Sequence, residues 1–221
     1  MHRRTLLSYF ALSLLLGSFV TNRIGSAGIV AFGSIQSQTA DGQASASSAI
    51  TKKVIASAEE QTKVTRSYAP GYARISYPGG DIPRQSGVCT DVLIRALRDG
   101  AGIDLQKEIH VDMIGNFSAY PQRYGLKKPD SNIDHRRVPN LMTYFTRHGT
   151  AVPITQDASD YHPGDFVAWD LGRGTLHIGL VSDTWNESTN RYSIIHNIGA
   201  GTNKEDRLFD WKIIGHYRYK Y

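Results

Sequence analysis

GVCTDVLIRAL, residues 87–97, joins a glycine turn to a cysteine at the start of a predicted helix. Thr90 and Asp91 are typical of a first helical turn, and the apolar residues after them recur at helical spacing. The free N–H groups and the positive dipole end of a helix N-terminus favour a thiolate over a thiol. We therefore predict that Cys89 is a nucleophile at a helix start.

Cys89 is the only cysteine among the 221 residues. Exported proteins that use cysteine structurally normally carry it in pairs. A lone thiol in an oxidising compartment either has a chemical task or is a buried, inert apolar side chain. The position at a helix start favours the chemical task.

The N-terminus predicts export. Arg3 and Arg4 precede an apolar stretch from Leu6 to Val20, which is the pattern of a secretion signal. We predict a signal peptide at 1–27 and a periplasmic or cell-envelope location, with no stable membrane span after cleavage. A retained anchor is the alternative, although the stretch is short of the ~20 residues that a spanning helix needs.

Composition separates the rest of the chain into two parts. Residues 28–47 are rich in Gly, Ser, Ala and Gln and predict a flexible linker. Residues 48–221 predict one domain of ordinary globular composition, with a net charge of +5 for the whole chain. Neither a basic stripe nor an aromatic platform is present, so we expect no nucleic-acid partner.

The order of the predicted elements indicates an α+β domain. Helices are expected from Ser48 to about Tyr68, from Cys89, over 104–117 and over 141–147. A short strand is expected at 72–77 and a long polar loop at 121–139. The remaining strands are expected at 166–171, 176–182, 192–197 and 213–219. Helices first and strands later imply a mostly antiparallel sheet.

Two histidines lie in strongly β-forming runs. His177 precedes Ile178-Gly179, and His196 ends the run that starts at Tyr192. Adjacent antiparallel strands can bring their imidazoles side by side. A nucleophilic cysteine needs a base and a group that orients the base, and histidine is the usual base at neutral pH.

This order of motifs resembles the NlpC/p60 superfamily of papain-like peptidoglycan hydrolases. Its members pair a cysteine helix with a five-stranded sheet, and a Pro-Gly-Asp turn, here at 163–165, leads into that sheet. The resemblance implies that Cys89 is the nucleophile, His177 the base and His196 its orienting partner. It also implies that Tyr77 lies close to the oxyanion site and that no cofactor or metal is needed. The reaction it implies is cleavage of an amide bond in peptidoglycan stem peptides, and we expect the enzyme to be a monomer.

The sequence is also similar to an uncharacterised bacterial family, domain of unknown function 1287. The similarity spans about 50–221. It is carried by YPGGD at 77–81, GVCTDV at 87–92, NIDHRRVPN at 132–140, HNIG at 196–199 and GHYRY at 215–219.

We expect the motif NIDHRRVPN at 132–140 to bind carboxylates of the substrate, because Arg binds carboxylates in bidentate fashion. We call this expected arrangement the substrate clamp. The substrate-binding residues predicted are Asp134, His135, Arg136 and Arg137 of this motif, together with Asn197 of the HNIG motif. An internal salt-bridge network that fastens the long loop is the alternative. The superfamily cysteine is followed by Ser-Gly, whereas Thr90-Asp91 follows here, and an inward Asp91 carboxylate raises the pKa of the thiol.

Other functions remain open at this stage. The same Cys-His scaffold also suits an acyltransferase or an esterase. A wall-binding module without catalysis is a third possibility, although the retained Cys89, His177 and His196 argue against it. A metal hydrolase is disfavoured because the sequence has neither a His-Glu-x-x-His motif nor paired cysteines.

Overall fold

The computed structural model describes the backbone of residues 33–221 and the side chains of residues 47–221. The predicted signal peptide at 1–27 lies outside the described residues. The fold is α+β, as the sequence predicts. The helices are α1 (Gly33–Val64), α2 (Cys89–Ala101), α3 (Leu105–Asn116) and α4 (Val138–Arg147). Within the described part of the chain, no helix is long and apolar enough to span a membrane.

Strands form one small sheet and one large sheet. Two-residue strands β1 (Ser67–Tyr68) and β2 (Ser86–Gly87) pair in parallel just before α2. The large sheet comprises β3 (Phe166–Asp170), β4 (Leu176–Asn186), β5 (Arg191–Asn197), β6 (Thr202–Glu205) and β7 (Lys212–Tyr217). Its order is β6-β5-β4-β3-β7, and every neighbouring pair is antiparallel.

Side chains of the large sheet alternate between two apolar clusters, because successive residues of a strand point to opposite faces. Ile178 and Leu180 of β4 pack in the cluster that contains the buried residues of α1 and α2. Val181 of β4 packs with Trp169 and Ile194 in the cluster on the other face. The start of β4 therefore lies between the helical layer and a second, smaller core.

Several elements differ from the prediction, among them the short strands β1 and β2, which were not predicted. Helix α1 begins at Gly33 rather than Ser48, so it overlaps the predicted linker of 28–47. Ala and Gln in this segment are good helix formers, and extending a helix costs far less than nucleating it. The predicted strand at 72–77 is wrong. Its backbone is bound by side chains instead, since Ile75 N–H donates to Asn132 Oδ1 and Gln106 Nε2 donates to the Ser76 carbonyl.

Strand β6 was not predicted. Its four residues are polar and lie at the edge of the sheet, where backbone pairing with β5 rather than an apolar pattern defines the strand.

Candidate active site

Cys89 is the first residue of α2, as predicted, and it lines an open cleft of about 420 Å³. The helix start is held by Asp91, whose carboxylate accepts the Val88 N–H at 2.7 Å. Cys89 itself is 4% exposed. The thiol therefore lies at the bottom of the cleft, at the positive end of a helix.

Three hydrogen-bond donors act on the Cys89 thiol. They are the backbone N–H groups of Ile178, at the start of β4, and of Thr90, and the hydroxyl of Tyr68 in β1. Burial raises the pKa of the Cys89 thiol to about 11, although these three donors act in the opposite direction. Burial thus outweighs the helix start, and the resting side chain is a neutral thiol at pH 7.

The two histidines meet as predicted. His177 Nε2 and His196 Nδ1 are 2.7 Å apart, and His196 Nε2 is 3.0 Å from Glu205 Oε2. A carboxylate only accepts hydrogen bonds, so His196 Nε2 carries a proton and neutral His196 accepts at Nδ1. His177 Nε2 must then donate, which leaves the lone pair on His177 Nδ1. This chain of contacts gives His177 the tautomer that a general base requires.

Aromatic side chains enclose the histidine pair. The His177 ring stacks on Trp169 at 5.7 Å between centroids, and the edge of Trp211 contacts both imidazoles. Burial, followed by the electrostatic effect of His196, lowers the pKa of His177 to about 3. His177 is consequently neutral over the whole physiological range, and burial opposes its protonation.

The predicted hydrogen bond between Cys89 and His177 is not formed in the structure. No hydrogen bond joins the thiol to the imidazole within the described residues. The His177 ring points to the sheet face that carries Trp169, whereas Cys89 packs with the helical core. The sulfur contacts β4 at Ile178, the residue next to His177. Cys89 therefore approaches the start of β4 from the helical face of the sheet, whereas the His177 ring lies on the opposite face.

Tyr77 is not at the oxyanion site, contrary to the prediction. Its ring packs edge-on against His110 at 5.0 Å and is 44% exposed. The following turn is fastened to the start of α3, because Gly79 N–H donates to Asp104 and Gly80 N–H donates to Gln106. This attachment keeps Tyr77 away from the cysteine.

Most of the predicted substrate clamp is internal structure. Arg136 forms a buried, bidentate ion pair with Asp91, at 3.0 Å and 2.9 Å. Its remaining N–H groups donate to the carbonyls of Gly71 and Ala69. Arg136 therefore ties the cysteine helix to the loop above it, and the alternative of a salt-bridge network is correct for this residue.

Three further predicted substrate-binding residues are also buried. Asp134 is 0% exposed and accepts the backbone N–H of Asp130. His135 is 2% exposed, and burial lowers its pKa to about 4. Asn197 donates to the carbonyls of Ser67 and Gly87, so it positions the turn before Cys89 rather than a ligand.

Arg137 is the member of the predicted clamp that remains available. It lines the cleft together with Cys89, and its Cζ lies 4.5 Å from the centre of the Tyr124 ring. Its Nη1 atom is buried without a hydrogen-bond partner and forms an ion pair with Asp134 Oδ1 at 3.7 Å. The part of the guanidinium that lines the cleft, held on an aromatic ring, suits an anion there.

Comparison with known proteins agrees with the motif pattern. The family model described as Domain of unknown function (DUF1287) matches residues 55–219. The chain belongs to this family. A curated relative from Escherichia coli (strain K12), Uncharacterized protein YijF, is 53% identical over 162 residues, which cover 73% of this chain and 78% of the relative.

Two site residues of this DUF1287 chain escaped the sequence analysis. Tyr68 was assigned to the end of a helix, and only the pairing of β1 with β2 places its hydroxyl on Cys89. Glu205 lies in the unpredicted edge strand β6. Within the described residues, no group of three or more His, Cys, Asp or Glu side chains is arranged to hold a metal ion.

Proposed function

We propose that this DUF1287 chain is an exported cysteine hydrolase with a papain-like, NlpC/p60-type arrangement that cleaves an amide bond in peptidoglycan stem peptides. One observation carries the proposal. Hydrogen bonds between Glu205 and His196 and between His196 and His177 set the tautomer of His177, which is the proposed base. The next residue of the same strand, Ile178, donates its backbone N–H to the Cys89 thiol. A purely structural histidine pair has no need of a nucleophile at the same strand.

In the proposed reaction, Cys89 Sγ attacks the amide carbonyl and its proton passes to His177 Nδ1. This transfer requires the imidazole to turn towards the cleft when substrate binds, because no hydrogen bond joins the two groups in the free chain. The resulting imidazolium is stabilised by His196 and Glu205. It then protonates the leaving amine, which departs as the acyl-enzyme thioester forms. Water, deprotonated by His177, hydrolyses the thioester and restores the thiol.

Because the resting Cys89 is a neutral thiol and His177 a neutral imidazole, no thiolate–imidazolium ion pair exists before substrate binds. We therefore propose that the thiol proton moves to His177 during the attack on the amide. Contacts between catalytic groups are often long without substrate and tighten in the complex. The N–H groups of the first turn of α2, together with the Tyr68 hydroxyl, are the donors that we propose for the oxyanion.

The proposed setting is the periplasm or cell envelope, with the protein acting as a monomer after removal of residues 1–27. An acyltransferase or esterase would use the same residues. The nature of the released fragments separates these reactions, because hydrolysis of an amide yields a free amine and a free carboxylate.

The test is to incubate the chain without its first 27 residues, and its Cys89→Ala variant, with peptidoglycan sacculi and to identify released fragments by mass spectrometry. We expect fragments that are cut at one amide bond with the parent chain and none with Cys89→Ala. A control variant, Arg123→Ser, changes an exposed loop residue and should release the same fragments as the parent. Identical fragments from parent and Cys89→Ala would reject the nucleophile.

A further inference from the structure

The Cys89 cleft does not end at the cysteine. A second open space of about 610 Å³ lies beside it, and Tyr72 lines both. The wall of this second space, which we call the cationic basin, is formed by Arg74, Lys127, Lys128 and the loop that precedes the 3-10 helix at Asp134–Arg136. The long polar loop predicted at 121–139 therefore forms most of the wall of the basin.

Charge in the cationic basin is unbalanced. Arg74, Lys127 and Lys128 are exposed, and within the described residues no ion pair joins any of them to a carboxylate. The single acidic group in the wall, Asp130, already accepts hydrogen bonds from the Tyr72 hydroxyl and the Asn132 N–H. Three cations thus face solvent beside one engaged carboxylate, which favours an anionic ligand.

Arg137 extends the same positive potential to the cysteine. The neighbouring Arg136 is buried and bound to Asp91 at 2.9 Å, whereas Arg137 lines the cleft and lies 3.7 Å from its partner Asp134. Tyr124, whose ring carries the Arg137 guanidinium, also lines the cleft. The cations therefore form a series that runs from the cleft into the basin.

We propose that cleft and basin together bind an extended peptide with several carboxylates. One carboxylate is bound by Arg137 next to the scissile amide, and the following ones lie in the cationic basin beyond Tyr72. This inference rests on the proposed function for the position of the scissile bond, but the binding itself requires no catalysis. It names the substrate class of the site as an acidic peptide.

The test is isothermal titration calorimetry of the Cys89→Ala chain with two synthetic peptides, acetyl-AEAEAE and acetyl-AQAQAQ. They have equal length and differ in three carboxylates. We expect the acidic peptide to bind at least about tenfold more tightly at low salt, and this preference to shrink as salt screens the basin. Equal affinity for the two peptides, or no detectable binding of either, would overturn the inference.

Variants assign the preference to the cations. In the Cys89→Ala background, Arg137→Gln and the double variant Lys127→Ser/Lys128→Ser should each weaken binding of the acidic peptide by about tenfold. Arg123→Ser removes an exposed cation of the same loop that lines neither space, and it should change the affinity less than about twofold. Equal effects of all three changes would show non-specific attraction and reject the basin.

The outcomes also separate this inference from the proposed function. Selective binding of the acidic peptide without hydrolysis of sacculi by the active chain would keep the basin and reject the hydrolase. Hydrolysis that depends on Cys89, together with equal binding of both peptides, would keep the hydrolase and reject the basin.

Discussion

Removal of the Arg136 guanidinium separates its structural role from the substrate role that the motif suggests. In Arg136→Met, the buried Asp91 carboxylate loses both N–H groups that neutralise it, and two backbone carbonyls lose their donors. The side chains of Arg136 and Asp91 are 3% and 4% exposed, so water cannot replace these contacts. Breaking one side of a buried ion pair costs about 3–5 kcal/mol.

This loss is a large part of the stability of a domain, which is about 5–15 kcal/mol. With a urea m-value of about 2 kcal/mol per molar, a loss of 4 kcal/mol lowers the unfolding midpoint by about 2 M. Equilibrium unfolding in urea, followed by tryptophan fluorescence, measures this shift.

Arg84→Met is the matched control. This guanidinium pairs with Asp99 at the surface, where the two side chains are 47% and 36% exposed, so its loss should change the unfolding free energy by less than about 1 kcal/mol. Asp91→Asn/Arg136→Met removes both charges and should be less destabilised than Arg136→Met alone. Equal unfolding midpoints for Arg136→Met and the parent would refute the reasoning, because they would show that the ion pair contributes no stability.

The remaining predictions concern the thiol and its base. His177→Ala should lower turnover of sacculi by about 10²–10⁴-fold, as kinetics can show. It should also lower the melting temperature measured by calorimetry, because it leaves a cavity between Trp169 and Trp211 and removes the partner of His196. Glu205→Gln lets an amide N–H donate to His196 and permits the wrong tautomer, so turnover should fall by at least about tenfold with KM unchanged, and Glu205→Asp should recover part of it. Because burial raises the pKa of Cys89 to about 11, the thiol gains thiolate as pH rises. Alkylation by iodoacetamide should therefore accelerate about tenfold per pH unit between pH 6 and 9. Tyr68→Phe should shift that curve to higher pH, since it removes a hydrogen bond to the sulfur. A rate plateau in this range would indicate a pre-formed ion pair.

Elements with strong periodic or β-branched patterns were predictable from the sequence. Helix α2 and strands β3, β4, β5 and β7 lie where they were expected, because their apolar residues form the two buried clusters. Strand β6 was not predictable, since its polar residues are placed by backbone pairing at a sheet edge. The start of α1 was also missed, because composition does not show how far a nucleated helix extends.

The site was partly predictable for a similar reason. Cys89, His177 and His196 are marked by residue type and local pattern, and the His177–His196 contact follows from strand adjacency. The prediction that Tyr77 lies at the oxyanion site was wrong. Its spacing before the cysteine does not reveal that the turn after Tyr77 is hydrogen-bonded to the start of α3. The roles of Arg136 and Arg137 are indistinguishable in sequence, since only the fold determines which guanidinium meets Asp91.

The most direct test of the central claim is to trap the covalent intermediate. The chain without its first 27 residues is mixed with fragments of peptidoglycan, quenched in acid within one turnover, and analysed by intact and peptide mass spectrometry. We expect an acyl adduct on the peptide that contains Cys89, no adduct in Cys89→Ala, and slower adduct formation in His177→Ala. Amide cleavage without an adduct, at the same rate in Cys89→Ala, would show that Cys89 is not the nucleophile.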